Sequence, residues 1–230
     1  MVSTNSSTSE VYDRLRATGA STVCAVLDMI GCSGTITGLP PVRPGQSFAG
    51  PAFTVKASTG PLGSFDASGF DIALYADNAA AGQVIAIDAG GAHVSLAGGI
   101  AALASARNGV VAWLVDGGMR DVDELREVPI PIHVRHGIAV TGRTRVHIDQ
   151  VNGPITIDGV SIEPQDVLVG DSSGVACVPV RHLEKVLRMS EWIDGRDKVA
   201  RTMVKEGASF AQAFREASAQ YTALHGPLEA

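Results

Sequence analysis

The chain has 230 residues, 45% of them hydrophobic and 18% charged, which is enough apolar material for a sizeable core in one large domain or two small ones. A formal net charge of −6 argues against the basic footprint of a nucleic-acid binder. No apolar run reaches membrane-spanning length and no basic, apolar leader opens the chain, so a cytoplasmic protein without a membrane partner is expected.

Residues 1–9 are mostly Ser, Thr and Asn and read as a flexible tail, leaving 10–230 as a single domain. Residues 10–18 suit a helix ended by Gly19. Ser21 suits the N-cap of a second helix, TVCAVLDMI, stopped by Gly31. The proline-rich stretch 35–46 reads as loop. Residues 51–57 alternate as a strand does. A Gly- and Ser-rich loop follows at 58–69, then a helix over 70–80. Residues 83–89 form an apolar strand that runs into Gly90-Gly91.

The chain is organised around 98–124. Gly98 and Gly99 open it, and small and apolar residues recur at helical spacing over 100–107 before Asn108-Gly109 stops the helix. The run VVAWLV (110–115) predicts a strand buried on both faces. Asp116-Gly117-Gly118 reads as a glycine turn that delivers Arg120 and Asp121 to the strand's end, where α/β sites often sit. Arg120 offers a planar donor fork for a carboxylate, and Asp121 offers hard oxygen ligands for a cation such as Mg²⁺. The same residues support a structural reading: Asp121-x-x-Glu124 is a capping box, and Arg120 could pair with a neighbouring acid.

From 129 to 180 short β-type runs alternate with turns at Asn152-Gly153, Asp158-Gly159 and Ser173-Gly174. Residues 181–206 become helical, with Gly195 expected to break or bend the helix and Gly207 to end it. SFAQAFREASA (209–219) predicts a last helix. This order suggests an α+β or layered β/α domain with C-terminal helices. Cys24, Cys32 and Cys177 make neither CxxC nor zinc spacing and read as reduced, buried thiols. His93, His133 and His136 read as structural, Asp88 and Asp171 as turn caps or cleft residues, and Asp66 and Asp71 as loop residues.

Gly99, then Arg120-Asp121 after twenty intervening residues, then Glu124 resembles the pattern of the class II pyruvate aldolases that cleave 4-hydroxy-4-methyl-2-oxoglutarate. It equally resembles their relatives, the regulator of ribonuclease E activity A proteins. STVCAVLDMIG, GPAFTVKA, GQVIAIDAGG and VNGPITIDGVSIEPQDVLVGDSSGVACVPV extend the resemblance over most of the chain. The resemblance implies a layered β/β/α fold like the phosphohistidine swivelling domain. It implies homotrimers, or hexamers built from them, with the site between subunits. It implies a lyase acting on a small 2-oxo acid, with oxaloacetate decarboxylation as a side activity.

In that family Mg²⁺ or Mn²⁺ is held by the residue matching Asp121, and the residue matching Arg120 binds the oxo acid and stabilises the enolate. The matches of Gly98, Gly99, Ile100 and Ala101 grip the substrate carboxylate through backbone N–H groups. A C-terminal acid, an arginine four residues later and a glycine ten after the acid match Asp197, Arg201 and Gly207, which assigns to Asp197 the carboxylate donated by a neighbouring subunit. One departure is Gly99, which stands where many such aldolases carry an acid. A different small oxo-acid substrate, or a non-catalytic regulatory binding protein, is the alternative that the resemblance leaves open.

Overall fold

The computed structural model describes residues 8–228. Helix α1 (Thr8–Thr18) begins two residues before the expected start, and residues 1–7 of the expected tail lie outside the described residues. Helix α2 (Ala20–Met29) begins at Gly19, whose φ of 82° only glycine adopts readily, so Ser21 lies inside the helix and does not cap it. The cap comes from far along the chain: Asp171 Oδ2 accepts the Ala20 N–H at 3.0 Å.

Strands β1 (Thr35–Ile36) and β2 (Phe48–Thr59) follow, the second longer at both ends than its expected span. The helix expected over 70–80 shrinks to α3 (Ala73–Ala76). Side chains explain its shortness: Asp71 Oδ1 takes the Ala73 N–H at 3.0 Å, and Asn78 Nδ2 donates to the carbonyls of Ala73 and Leu74 at 3.1 and 3.3 Å.

Strands and helices then alternate: β3 (Val84–Asp88), β4 (Ser95–Ala97), α4 (Gly99–Arg107), β5 (Ala112–Met119), α5 (Val122–Glu127) and β6 (Ile132–Gly137). Strands β3, β4 and β6 all run parallel to β5, and β2 runs parallel to β3. Every residue of β5 is buried, which bears out the expected burial of 112–115, although the strand begins two residues later than the run 110–115. The expected glycine turn is absent, because β5 continues through Gly117 and Gly118 to Met119. These glycines serve close packing. A Cβ at 117 would meet Leu96 Cδ2 at 2.7 Å, and one at 118 would meet the Val94 carbonyl oxygen at 2.7 Å. They let β4 lie against the end of β5.

The chain then turns antiparallel through β7 (Val146–Val151), β8 (Ile155–Ile157), β9 (Val160–Ile162), β10 (Val167–Asp171) and β11 (Gly174–Val178). The chain leaves the strand after Gly137, so residues 138–142, within the stretch expected to hold short β-type runs, are loop. Asp158 and Gly159, at φ of 53° and 81°, make the tight β8–β9 turn. Among the described residues the main sheet has nine strands, in the order β1-β11-β10-β2-β3-β5-β4, with β6 also on β5 and β7 on β2. The architecture is therefore mixed α/β, with helices alternating among parallel strands as well as gathered at the C-terminus.

Alternation along β3 and β5 feeds a core on each face of the sheet. Ile85, Ile87, Trp113 and Val115 face one side, with Tyr75, Ala102 and Leu125 packed on them. Val84, Ala86, Ala112 and Leu114 face the other, under Ile155, Ile157, Val160 and Ile162 of the β8–β9 hairpin. On the first side the Trp113 indole N–H donates to Ser105 Oγ at 2.8 Å, and the Tyr75 hydroxyl donates to the Leu96 carbonyl at 2.5 Å. Helix α6 (Leu183–Lys205) and helix α7 (Phe210–His225) close the chain, and α6 packs with α1 and α2 over β10 and β11. Gly195 does not break α6, which runs through it; its missing Cβ makes room for the Tyr221 ring.

His133 is fully buried on β6, with Nδ1 at 3.1 Å from the Leu39 carbonyl and Nε2 without a partner among the described residues. Burial holds its imidazole below the usual range, and the Leu39 carbonyl only partly opposes this. The folded state therefore binds this proton less readily than the unfolded chain. The stability involved is complete above the unfolded value, about 6.5, and is lost as pH falls towards the lower folded value. We expect the urea midpoint to drop between pH 7.5 and pH 5.5, and the His133→Gln variant to lose that part of the dependence. A profile unchanged by the substitution would assign the slope to other groups.

Candidate active site

The polar end of the site is built from two chain crossings. Arg120 follows β5, and its N–H donates to the Ala97 carbonyl at 3.0 Å, which fixes it beside β4 and the start of α4. Asp121 follows in the left-handed region, at φ 60° and ψ 44°. An aspartate tolerates that conformation at some cost, and here the conformation aims its side chain back at α4. Asp121 does precede α5, but its carboxylate makes no capping bond there. The capping-box reading is therefore set aside. Asp121 Oδ2 instead lies 3.4 Å from the Gly99 N and 3.3 Å from Arg120 Nε. Arg120 is 52% exposed and Asp121 34%, so both side chains remain available.

Gly98 and Gly99 explain the long spacing of the motif. A Cβ at 98 would strike Asp121 Oδ2 and come within 3.0 Å of Arg120 Cγ. A Cβ at 99 would strike Glu124 Oε2 and approach Glu124 Cβ to 2.8 Å. Each glycine thus makes room for one part of the Arg-Asp-x-x-Glu segment. The acid expected at 99 could not be accommodated unless Glu124 moved, because a carboxylate already fills that space. Helix α4 has no acidic residue in its own first turn and no side-chain cap. Helix geometry leaves the N–H groups of Gly99, Ile100 and Ala101 without intrahelical partners. They form a donor set with partial positive charge.

A cleft of about 380 Å³ opens at this point. Gly98, Arg120 and Asp121 line its polar end, and Ile100 and Ala101 continue it along α4. Gly99 lines a neighbouring recess of about 320 Å³ with Glu124 and Leu103. The rest of the cleft comes from segments that sequence reasoning missed: Phe70, Ile72, Ala73, Ala76 and Asp77 around α3, Ser95 and Ala97 of β4, and Thr141 and Gly142 after β6. Their contribution depends on the register between distant segments, and no local pattern announces it.

Other candidates fall elsewhere. Asp197 sits on α6, where both Arg196 Nε and Nη2 donate to its Oδ1 at 2.9 and 2.7 Å, and it does not line the cleft. His93 and His136 stack on each other at 3.8 Å outside it. Asp88 accepts from Lys56, Gly90 and Thr156, which gives it a structural occupation. Asp171 caps α2 and the Ser173 turn, and Asp66 accepts from Ser68. Burial pushes the Cys24 and Cys177 thiols up, which keeps them protonated and unreactive. Beneath the β8–β9 turn, Arg135 bridges Asp116 at 2.5 Å and Asp158 at 3.4 Å. The Asp158 carboxylate is held below its usual range, chiefly by the N–H groups of Thr37 and Gly38. Among the described residues no group of three or more His, Cys, Asp or Glu side chains could hold a metal ion. One open carboxylate still suits Mg²⁺, which keeps several waters and is commonly held by one or two carboxylates.

The class defined by this fold and cleft is a mixed-sheet α/β protein with a pocket at a helix N-terminus beside a parallel strand's end. The chain belongs to the RraA-like family, described as Aldolase/RraA, whose model matches residues 8–177. A Thermus thermophilus protein named 4-hydroxy-4-methyl-2-oxoglutarate aldolase is 33% identical over 102 residues, covering 43% of this chain and 60% of that one. Protein DlpA of Legionella pneumophila is 27% identical over 188 residues, covering 81% of this chain, which spans only 30% of DlpA's length. The crystal structure of Streptomyces coelicolor RraAS2, described as an unusual member of the RNase ES inhibitor RraA protein family, shares the fold. Its TM-score is 0.77 at 21% identity, covering 84% of this chain and 98% of that one. Among the described residues no helix is long and apolar enough to cross a membrane.

Proposed function

We propose that the protein is a divalent-metal-dependent lyase that breaks a carbon–carbon bond of a 4-hydroxy-2-oxo acid to release pyruvate, with oxaloacetate decarboxylation as a side activity. The observation that carries this reading is the convergence of Arg120 and Asp121 on Gly98, at the mouth of a cleft where α4 begins. The aldolase name of the Thermus relative agrees with it.

Asp121 would hold Mg²⁺ or Mn²⁺, and such an ion, when bound, supplies electrostatic stabilisation to an oxygen that gains charge. The N–H groups of Gly99, Ile100 and Ala101 bind the substrate carboxylate. A base takes the proton of the C4 hydroxyl, the C3–C4 bond breaks to leave an aldehyde or ketone, and its electron pair passes to the C2 oxygen as an enolate. Arg120 donates to that oxygen as its charge grows. Protonation at C3 then gives pyruvate. In oxaloacetate, loss of CO₂ supplies the same electron pair and no hydroxyl proton has to be removed.

Glu124 is the base we favour, because it stands where the missing acid at 99 would project. Asp197 of a neighbouring copy would have to leave Arg196 to take that part. The homotrimer or hexamer, and the layered β/β/α likeness to the swivelling domain, belong to this same reading.

Pyruvate release from 4-hydroxy-4-methyl-2-oxoglutarate and from oxaloacetate, with Mg²⁺ or Mn²⁺ and with chelator, tests the proposal. Release that chelator abolishes is expected. Glu124→Gln should slow aldol cleavage roughly 10²-fold while sparing decarboxylation, since only the former needs a base. Equal losses in both reactions would remove Glu124 from the proton transfer. Negligible release from every substrate, in wild type and Arg120→Ala alike, would overturn the lyase reading and leave the regulatory one. Capture of an endonuclease's C-terminal region would then be the assay.

A further inference from the structure

Strand β4 has only three residues, yet the polar end of the cleft hangs on it. Its pairing with β5 is irregular. Ser95 stands opposite Gly118 and Ala97 opposite Met119, so Leu96 is one residue more than β5 matches. Such bulges are rare between parallel strands, and they re-aim the chain that follows. Gly117 makes room for the extra residue, since a Cβ there would meet Leu96 Cδ2 at 2.7 Å.

Two buried hydroxyls hold the bulge. The Tyr75 hydroxyl donates to the Leu96 carbonyl, and burial pushes that phenol up, which keeps it a donor. Ser95 Oγ donates to the Ala97 carbonyl at 2.7 Å. Ser95 is itself held from the other side, where its N–H donates to the Val140 carbonyl at 2.9 Å. The Ala97 carbonyl is the one that receives the Arg120 N–H at 3.0 Å, and the next residue is Gly98, the N-cap of α4. Ser95 also lines the cleft, but its single hydroxyl proton is committed to Ala97.

We propose that Ser95 is a positioning residue for Arg120. Its hydroxyl fixes the carbonyl from which the arginine's backbone hangs, and through it the place of the guanidinium beside Gly98. The proposal rests on the lyase reading for what Arg120 does, whereas the anchoring itself does not. One hydroxyl matters here because a three-residue strand with a broken register has to hold Ala97 still. A shift of about 1 Å in a reacting group can cost 10²-fold.

Ser95→Ala removes the hydroxyl while the Ala97 carbonyl keeps its bond from Arg120, so no buried acceptor is orphaned and the fold should hold. Hydrogen exchange at the Arg120 amide, followed by NMR on the intact protein without any ligand, should speed up about 10-fold. In pyruvate release kcat should fall roughly 10-fold with KM within about 2-fold, because Arg120 acts on charge that develops in the transition state. On an Arg120→Ala background the same substitution should cost nothing further. A residue of purely structural importance would lower the rate on both backgrounds.

Unchanged exchange at the Arg120 amide overturns the proposal, whether or not any substrate is cleaved. Wild-type kcat in Ser95→Ala overturns it too, as do additive losses in the double variant. Faster exchange in Ser95→Ala, with no pyruvate release by the unsubstituted protein, supports the anchoring and sinks the lyase reading alone.

Discussion

Replacing Arg120 with alanine is expected to lower kcat/KM for pyruvate release on the order of 10³-fold while leaving the thermal midpoint nearly unchanged. The two halves of this expectation have separate causes. Arg120 is half exposed, and its ion pair with Asp121 spans 3.3 Å at the surface, a kind of pair that contributes about 0–1 kcal/mol. Its backbone bond to Ala97, which fixes the chain path, survives the substitution. On the proposed lyase reading, what disappears is a planar donor fork that would donate to the oxygen becoming an enolate, a contact that strengthens only as charge develops. Arg120→Lys keeps the charge and loses the fork, so it should restore only part of the rate. Far-ultraviolet circular dichroism and a melting curve serve as the folding control. A variant that melts with wild type and retains wild-type kcat/KM would remove Arg120 from the chemistry.

Periodicity and length made much of the scaffold legible. Strand β3 and helix α4 match their expected spans within a residue at each end, because an apolar strand run and a helical repeat each bury one consistent set of side chains. The misreadings have a common cause, in that a local signal was outweighed by a distant partner. Gly117-Gly118 carries the composition of a turn, yet it serves as the smooth face on which β4 and Ile138 pack. Ser21 has the chemistry of a cap, but Asp171 holds that position. Gly195 looked like a helix breaker, but it is the seat of Tyr221. Strand β4 has only three residues and no period to detect.

The site divides in the same way. Arg120 and Asp121 stand out because they are adjacent in the chain. The reason for the distance back to Gly98 and Gly99 is visible only in three dimensions, as is the rest of the cleft's lining. Asp197 matched a spacing pattern, but within one chain the structure leaves it on α6, paired with Arg196 and outside the cleft.

That same three-dimensional reason yields the second large effect. Gly98→Ala should depress pyruvate release on the order of 10³-fold, comparable to loss of Arg120, although the substitution removes no functional group. Gly98 has φ −145° and ψ −169°, an extended conformation open to any residue, so the backbone itself is not strained by a methyl group. The penalty is steric and falls on two groups at once. The new Cβ would occupy the place of Asp121 Oδ2 and press on Arg120 Cγ at 3.0 Å. Asp121 is already confined to the left-handed region and has little backbone freedom with which to give way. Both side chains must swing outward, and a displacement of about 1 Å in one reacting group can cost 10²-fold. Two displaced groups justify the larger figure. Stability should fall by only about 1 kcal/mol, through the poorer N-cap that alanine offers α4. Gly99→Ala is the informative partner, since its Cβ meets Glu124 and not the Arg-Asp pair. It should impair aldol cleavage more than decarboxylation, whereas Gly98→Ala should impair both alike. Steady-state rates for the two reactions in the two variants, set beside their melting curves, decide the matter. A Gly98→Ala protein with wild-type rates would show that Arg120 and Asp121 need not converge there for the chemistry to proceed.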